Sequence, residues 1–239
     1  MKPPSWTQIK KIVLDILFPA VCLACDAFLK TEFEINNHLC AGCRNQMTTR
    51  DTLLCSACGA RLPENIKICH RDAPFMLAAA TDYENAIVRS LIFRLKYERL
   101  KEAAAPLTAL LSEYLSNLDF DWDGFVVAPV PLHPKRLRER GWNQAELLSN
   151  SIAALLKLPH LPGALRRVRY EEPQAKIRTR AEREINMLNA FEADKNIAGQ
   201  NILLVDDVIT TGATLRAAAA ALKTAGCRRV IALVAARRS

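Results

Sequence analysis

Beyond residue 72 the apolar positions alternate between two periods. Residues 76–80 form an unbroken apolar run that predicts a buried strand. Residues 84–95 place Ile87, Leu91, Ile92 and Leu95 at helical spacing, and residues 103–118 predict a second helix with Pro106 tolerated in its first turn. Residues 125–130 read as another buried strand and residues 144–156 as another helix. The last stretch is the clearest, with a strand over 201–208, a helix over 213–224 stopped by Gly226, and a strand over 229–235. Strand, crossover helix and strand make a βαβ unit. The predicted fold is therefore α/β, a parallel sheet flanked by helices that takes ligands at the carboxyl edge of its strands.

Before residue 72 the periodicity is weak and cysteines punctuate short polar stretches, as in a metal-stapled module too small for a core of its own. The chain thus divides into residues 1–72, an N-terminal helix followed by a zinc-ribbon-like module, and residues 73–239. Residues 7–18 predict a short amphipathic helix. Asp15 interrupts its apolar run and Pro19 closes it, which argues against a secretory signal. No segment approaches the ~20 apolar residues of a spanning helix, so a cytoplasmic protein without a membrane span is expected. Residues 166–184, with Arg166, Arg167, Arg169, Lys176, Arg178, Arg180 and Arg183, predict an exposed excursion placed to act as a lid.

Half of the 239 residues are apolar, enough for a sizeable core and against global disorder. The 33 Lys and Arg exceed the 25 Asp and Glu by eight, which favours anionic partners such as phosphates or nucleic acid. Seven of the eight cysteines precede residue 70. Without a secretory route their C-x-x-C spacing points to metal rather than to disulfides. Cys22-x-x-Cys25 and Cys40-x-x-Cys43 supply the four thiolates that structural Zn²⁺ prefers, and leave no coordination position open for water. Cys227, after a predicted helix, reads as a core residue.

Residues 202–205 end in two carboxylates, Asp206 and Asp207, and Val208-Ile209-Thr210-Thr211-Gly212-Ala213-Thr214 turns into the following helix. Backbone N–H groups at a helix N-terminus, with a glycine permitting close approach, form an anion site. The threonine hydroxyls add donors to a phosphate monoester. The acids can accept hydrogen bonds from vicinal sugar hydroxyls, directly or through a bound cation, at what is expected to be an exposed crevice. Simple helix capping would need one such residue, whereas here two acids, three threonines and a glycine lie together. No Lys follows the glycine, so this is not the Walker pattern.

Residues 202–214 resemble the phosphoribosylpyrophosphate-binding signature of type I phosphoribosyltransferases. The resemblance implies that Thr210, Thr211, Gly212 and Thr214 hold a 5′-phosphate, that Asp206 and Asp207 face the ribose hydroxyls as catalytic acids, and that Mg²⁺ bridges sugar and pyrophosphate. Upstream, residues 126–141 pass from a buried strand into a proline-stiffened basic loop. Lys135, Arg136 and Arg140 are the candidate pyrophosphate cations there, with His133 as a loop hydrogen bonder.

Pro131-Leu132-His133-Pro134, Arg138-Glu139-Arg140-Gly141-Trp142-Asn143-Gln144 and the spacing of Asn186, Asn189, Ala190 and Phe191 carry a narrower resemblance, to the ComF family of competence and DNA-utilisation proteins. It covers nearly the whole chain and implies a role in DNA uptake, with single-stranded DNA and other competence proteins as partners. Three functions fit: a phosphoribosyl transferase with an acceptor left open, a non-catalytic DNA- or partner-binding competence factor, and a regulator that senses phosphoribosylpyrophosphate. In that family pattern a second cysteine set, Cys55, Cys58 and Cys69, meets Asp72 where a fourth cysteine is expected. Asp72 is one candidate for the fourth ligand, although carboxylates are uncommon in structural zinc sites, and a single metal shared between distant C-x-x-C pairs is another arrangement the spacing allows. His70 is the alternative, although its adjacency to Cys69 makes joint coordination awkward.

Overall fold

A computed structural model describes residues 6, 17–62, 69–70, 72–169 and 190–238. Most of the predicted N-terminal helix (7–16) and the arginine-rich stretch 170–189 lie outside the described residues. The described part opens with two short helices, α1 (Glu32–Asn37) and α2 (Ala41–Asn45). Thr31 and Glu34 cap α1 reciprocally, and Glu34 Oε1 also accepts the Ala41 N–H at 2.9 Å, so one carboxylate ties both helices together.

The central sheet has five strands in the order β1–β2–β7–β6–β3. Strand β1 (Leu54–Cys55) runs antiparallel to β2 (Met76–Asp82) at one edge. After β2 come α3 (Ala86–Tyr97), capped by the Asn85 side chain, and α4 (Ala104–Asn117). Strand β3 (Phe125–Pro129) is followed by α5 (Pro134–Arg140) and α6 (Gln144–Leu156). A two-stranded antiparallel pair, β4 (Leu165–Arg167) and β5 (Phe191–Ala193), flanks the undescribed stretch. The chain ends in β6 (Asn201–Ile209), α7 (Ala213–Thr224) and β7 (Arg229–Arg237). Strands β2, β7, β6 and β3 pair in parallel, as the apolar patterning predicts.

Side chains alternate across this sheet and fill a core on each face. Leu203, Val205 and Ile231 join Leu95 of α3, Leu111 of α4 and Leu148 of α6 on one side. Ile202, Leu204 and Val230 join Leu215 and Leu222 of α7 on the other. Each buried leucine contributes about 1.5–3 kcal/mol through burial.

The cysteine module shares the first of these cores. Leu29, Leu39, Met47 and Leu53 pack in the same cluster as α3 and α4. The Tyr114 hydroxyl donates to the Thr52 carbonyl at 2.9 Å, Asn85 Nδ2 donates to the Gln46 carbonyl at 2.7 Å, and the Arg50 guanidinium pairs with Asp82. A module too small to bury its own apolar residues thus uses the neighbouring sheet.

Residues 134–140, expected to form a loop, form helix α5 instead. Pro134 stands at its first position, His133 Nδ1 accepts the Lys135 N–H at 3.2 Å, and Gly141 closes it with φ 87°. Proline at the start and glycine past the end are helix boundaries as well as stiffeners.

Candidate functional site

Strand β6 carries its last residues to the carboxyl edge of the sheet, where the chain turns through Thr210–Thr211–Gly212 into α7. Gly212 adopts φ 73°, and a Cβ there would lie 2.9 Å from Arg216 Nη1 and 3.3 Å from Ile209 Cδ1. The left-handed backbone disfavours any side chain here, and a Cβ would also crowd Ile209 and push the end of the Arg216 side chain aside. Gly212 is also the N-cap of α7 and supplies no side-chain oxygen, while Thr211 Oγ1 accepts the Ala213 N–H at a long 3.4 Å. The first turn therefore keeps N–H groups for an anion. Neither acid caps the helix. Thr210 and Thr211 are exposed, Ala213 and Thr214 half-buried, and Val208 and Ile209 anchor the turn as half-buried and buried apolar residues.

The two acids differ from the expected exposed crevice. Asp206 is half-buried and Asp207 is 3% exposed. The apolar run before them holds them inside the sheet, and a half-buried cation compensates them. Lys96, in the last turn of α3, brings Nζ to 2.7 Å from Asp207 Oδ2. Burial works against the Lys96 ammonium, but the charges of Asp207 and Asp206 outweigh it and raise its pKa. Asp206 Oδ1 accepts the Asp207 N–H at 2.9 Å. Burial, together with the charge of Asp207 and against the pull of Lys96, pushes the Asp206 carboxyl up to about 7.

Beside Lys96 lies a cavity of about 290 Å³ lined by Lys96, Tyr97, Arg99, Arg136, Glu139 and Arg140. Arg136 and Arg140 stand one turn apart on α5, which is how a helix places two of the three expected cations on one wall; Lys135 is not among the lining residues. Arg99 Nη2 donates to the Glu139 carbonyl at 2.7 Å, joining the end of α3 to α5. Arg140 lies over the Tyr97 ring at 5.6 Å and donates to Gln144 Oε1 at 3.1 Å. Sequence reasoning passes over Lys96, Tyr97, Arg99 and Gln144. A lysine in the last turn of a helix reads as a partner of the helix dipole, and nothing in its spacing points to an acid 111 residues later.

The cysteines form two sets. All eight are free thiols. The sulfurs of Cys22, Cys25, Cys40 and Cys43 lie within 4.8 Å of one another, with Cys25 and Cys40 3.7 Å apart. Four ligands on a tetrahedron with ~2.3 Å arms are separated by about 3.8 Å, so the donor set fits structural zinc. Cys22 and Cys40 each accept a backbone N–H, from Ala24 at 3.4 Å and Cys43 at 3.5 Å.

The second set is Cys55, Cys58, Cys69 and His70, again within 4.8 Å. Of the two residues the sequence offers beside these cysteines, His70 and not Asp72 is the one gathered with them. Its Nδ1 lies 3.2 Å from Cys69 Sγ and 3.6 Å from Cys55 Sγ, while Cys58 and Cys69 are 3.5 Å apart. Adjacency is no obstacle, since the imidazole swings back over the neighbouring sulfur. Cys227 is buried away from both sets and donates to the Gln200 carbonyl at 3.1 Å.

These features define a phosphoribosyltransferase-type α/β domain joined to a cysteine-rich metal module. Residues 143–239 match the phosphoribosyl transferase domain family, and residues 13–72 match the double zinc ribbon domain family. The chain is 30% identical to the DNA utilization protein YhgH of Escherichia coli K12 over 188 residues, covering 74% of this chain and 80% of that protein. It is 29% identical to competence protein F of Haemophilus influenzae over 210 residues, 81% of this chain and 88% of that one. It is 28% identical to competence protein ComFC of Bacillus subtilis over 228 residues, 86% and 90% respectively. The chain belongs to the ComF family of competence and DNA-utilisation proteins. No described helix is long and apolar enough to cross a membrane.

Proposed function

We propose that the protein binds phosphoribosylpyrophosphate or ribose 5-phosphate at the β6–α7 turn, transfers the phosphoribosyl group to an acceptor, and acts in the cytoplasm in DNA uptake and natural transformation. The observation that carries this reading is the first turn of α7 behind Gly212, which as N-cap offers no side chain to its N–H groups, with the acids beside it. The backbone N–H groups of that turn, with Thr210, Thr211 and Thr214, receive the 5′-phosphate. Asp206 and Asp207 accept hydrogen bonds from the ribose hydroxyls and offset positive charge developing at C1. The acceptor's lone pair attacks C1 as the C1–O bond breaks, and the bonding electrons leave with pyrophosphate. A Mg²⁺ ion, where bound, would be held by the diphosphate oxygens with Asp206 and Asp207 near it, and would supply positive charge to the leaving group. Two structural zinc ions, in Cys22, Cys25, Cys40 and Cys43 and in Cys55, Cys58, Cys69 and His70, support the module.

One observation favours a second reading, a DNA- or partner-binding factor. Phe93 and Tyr97 are exposed, their rings 5.1 Å apart, with Arg140 over Tyr97. Exposed aromatics beside cations suit stacking on single-stranded DNA.

Pyrophosphate release from phosphoribosylpyrophosphate, with and without single-stranded DNA or nucleobases, separates these readings. Asp206→Asn and Asp207→Asn should each lower turnover by roughly 10²–10³, the loss of ~2–4 kcal/mol of transition-state stabilisation, and lower sugar-phosphate affinity less. Binding without release in the wild type would mean sensing rather than transfer. Full DNA uptake by the double Asn variant would make the protein a binding component.

A further inference from the structure

The cavity between α3 and α5 and the ribose acids are usually two subsites in a chemical description, yet one side chain belongs to both. Lys96 lines the cavity with Arg136 and Arg140 while its Nζ stands 2.7 Å from Asp207 Oδ2. Building on the proposed sugar-phosphate site, we infer that Lys96 is a specificity-determining residue, whose ammonium passes from Asp207 to the diphosphate of the ligand and so makes the site favour a ribose 1-diphosphate over bare ribose 5-phosphate.

The cations of the cavity differ in the partners they hold. The Arg99 guanidinium is committed to the Glu139 carbonyl at 2.7 Å, as a strut between the two helices. Arg140 is held from below by Tyr97 and from behind by Gln144, whose side chain is buried, with the residue 2% exposed. These two hold to neutral protein partners rather than to a ribose acid. Lys96 differs because its carboxylate partner is one of the two ribose acids. Four cations, Lys96, Arg99, Arg136 and Arg140, face one lining carboxylate, Glu139, so the cavity suits a compact polyanion.

The consequence for Asp207 is competitive. In the ligand-free site its carboxylate is ion-paired with Lys96, and a sugar hydroxyl offers a weaker partner than a half-buried ammonium. Ribose 5-phosphate must therefore contend with the ion pair. A ligand that also brings a diphosphate gives the ammonium a second anion within reach of its flexible stem, and Asp207 is released toward the sugar hydroxyl. The two halves of the ligand then assist each other through one lysine. Such coupling is reciprocal, so free pyrophosphate should tighten ribose 5-phosphate binding by the same factor that ribose 5-phosphate tightens pyrophosphate binding.

Removing Lys96 alone leaves Asp207 buried without its cation, which threatens folding. The test therefore compares Asp207→Asn with the double variant Lys96→Met/Asp207→Asn, alongside the wild type and Lys96→Arg. Calorimetry on the full-length, zinc-loaded protein would measure affinity for phosphoribosylpyrophosphate, ribose 5-phosphate and pyrophosphate, with Mg²⁺ present. The wild type should prefer phosphoribosylpyrophosphate to ribose 5-phosphate, and saturating pyrophosphate should raise ribose 5-phosphate affinity roughly 5–150-fold. Lys96→Arg should keep part of that coupling. The double variant should lose it, and its preference for the diphosphate should fall relative to Asp207→Asn. An equal preference in those two variants, or wild-type binding of ribose 5-phosphate that pyrophosphate leaves unchanged, overturns the role of Lys96 while leaving the sugar-phosphate site intact. A wild type that binds neither sugar ligand removes both.

Discussion

Cys55 and Met76 sit opposite one another in the antiparallel pair of β1 and β2, so a member of the second cysteine set is itself a rung of the central sheet. Metal at Cys55 would be mechanically continuous with β2, whose parallel partner β7 lies beside β6 and its acids.

Metal removal should therefore reach the sheet. Chelation should raise amide exchange at Leu54 and at the β2 residues opposite β1, Leu77 and Met76, beyond its effect within the cysteine loops. Metal analysis of the purified protein should find two zinc ions per chain. His70→Ala should weaken or lose one, and Asp72→Ala should lose none. A variant at Asp72 that releases zinc while His70→Ala retains it would reverse the ligand assignment.

Gly212 should tolerate no side chain. Gly212→Val puts an L-residue in the left-handed region, costing about 1–2 kcal/mol, and crowds Ile209. Ribose 5-phosphate affinity should drop at least about tenfold, since ~1.4 kcal/mol already corresponds to that factor. Thr211→Val, which keeps shape and removes a hydroxyl, should weaken binding with little change in melting temperature. Unchanged calorimetric affinity in both variants would place the phosphate elsewhere.

The Asp206 carboxyl should make ligand-free stability depend on pH with a definite sign. Its folded value is pushed up to about 7 by burial and by Asp207, against the pull of Lys96, whereas an unfolded aspartate titrates near ~3.9. Between those values the folded state binds the extra proton, so this group's contribution to stability falls as pH rises through the window. Asn at this position cannot lose a proton. The melting temperature of Asp206→Asn relative to wild type should therefore climb between about pH 4 and pH 7 and level off above, at ~2–4 °C for each kcal/mol. A difference that stays constant across that range would show that the carboxyl does not titrate there.

The βαβ ending was legible because everything it needs is contiguous: an apolar run for a central strand, two acids where it stops, and a glycine opening a helix. The paired C-x-x-C motifs were legible for the same reason, since a tetrahedral ligand set draws on short local hairpins. Helix α5 was half legible. Pro134 and Gly141 mark its ends, but seven residues with four cations and few apolar positions carry no amphipathic period.

Local order along the chain thus determined the strand–turn–helix that offers N–H groups to an anion, and the thiol pairs that suit zinc. Tertiary structure decided which charges meet. Lys96 and Asp207 lie 111 residues apart in sequence and come to 2.7 Å only because α3 packs over the face of β6 that holds Asp207. His70 rather than Asp72 joins the second cysteine set because the fold around Cys55 turns an imidazole, not a carboxylate, toward the sulfurs. Periodicity reports which residues are buried. It carries no information on which distant charge will share that burial, because that pairing is set by the packing of whole elements against one another.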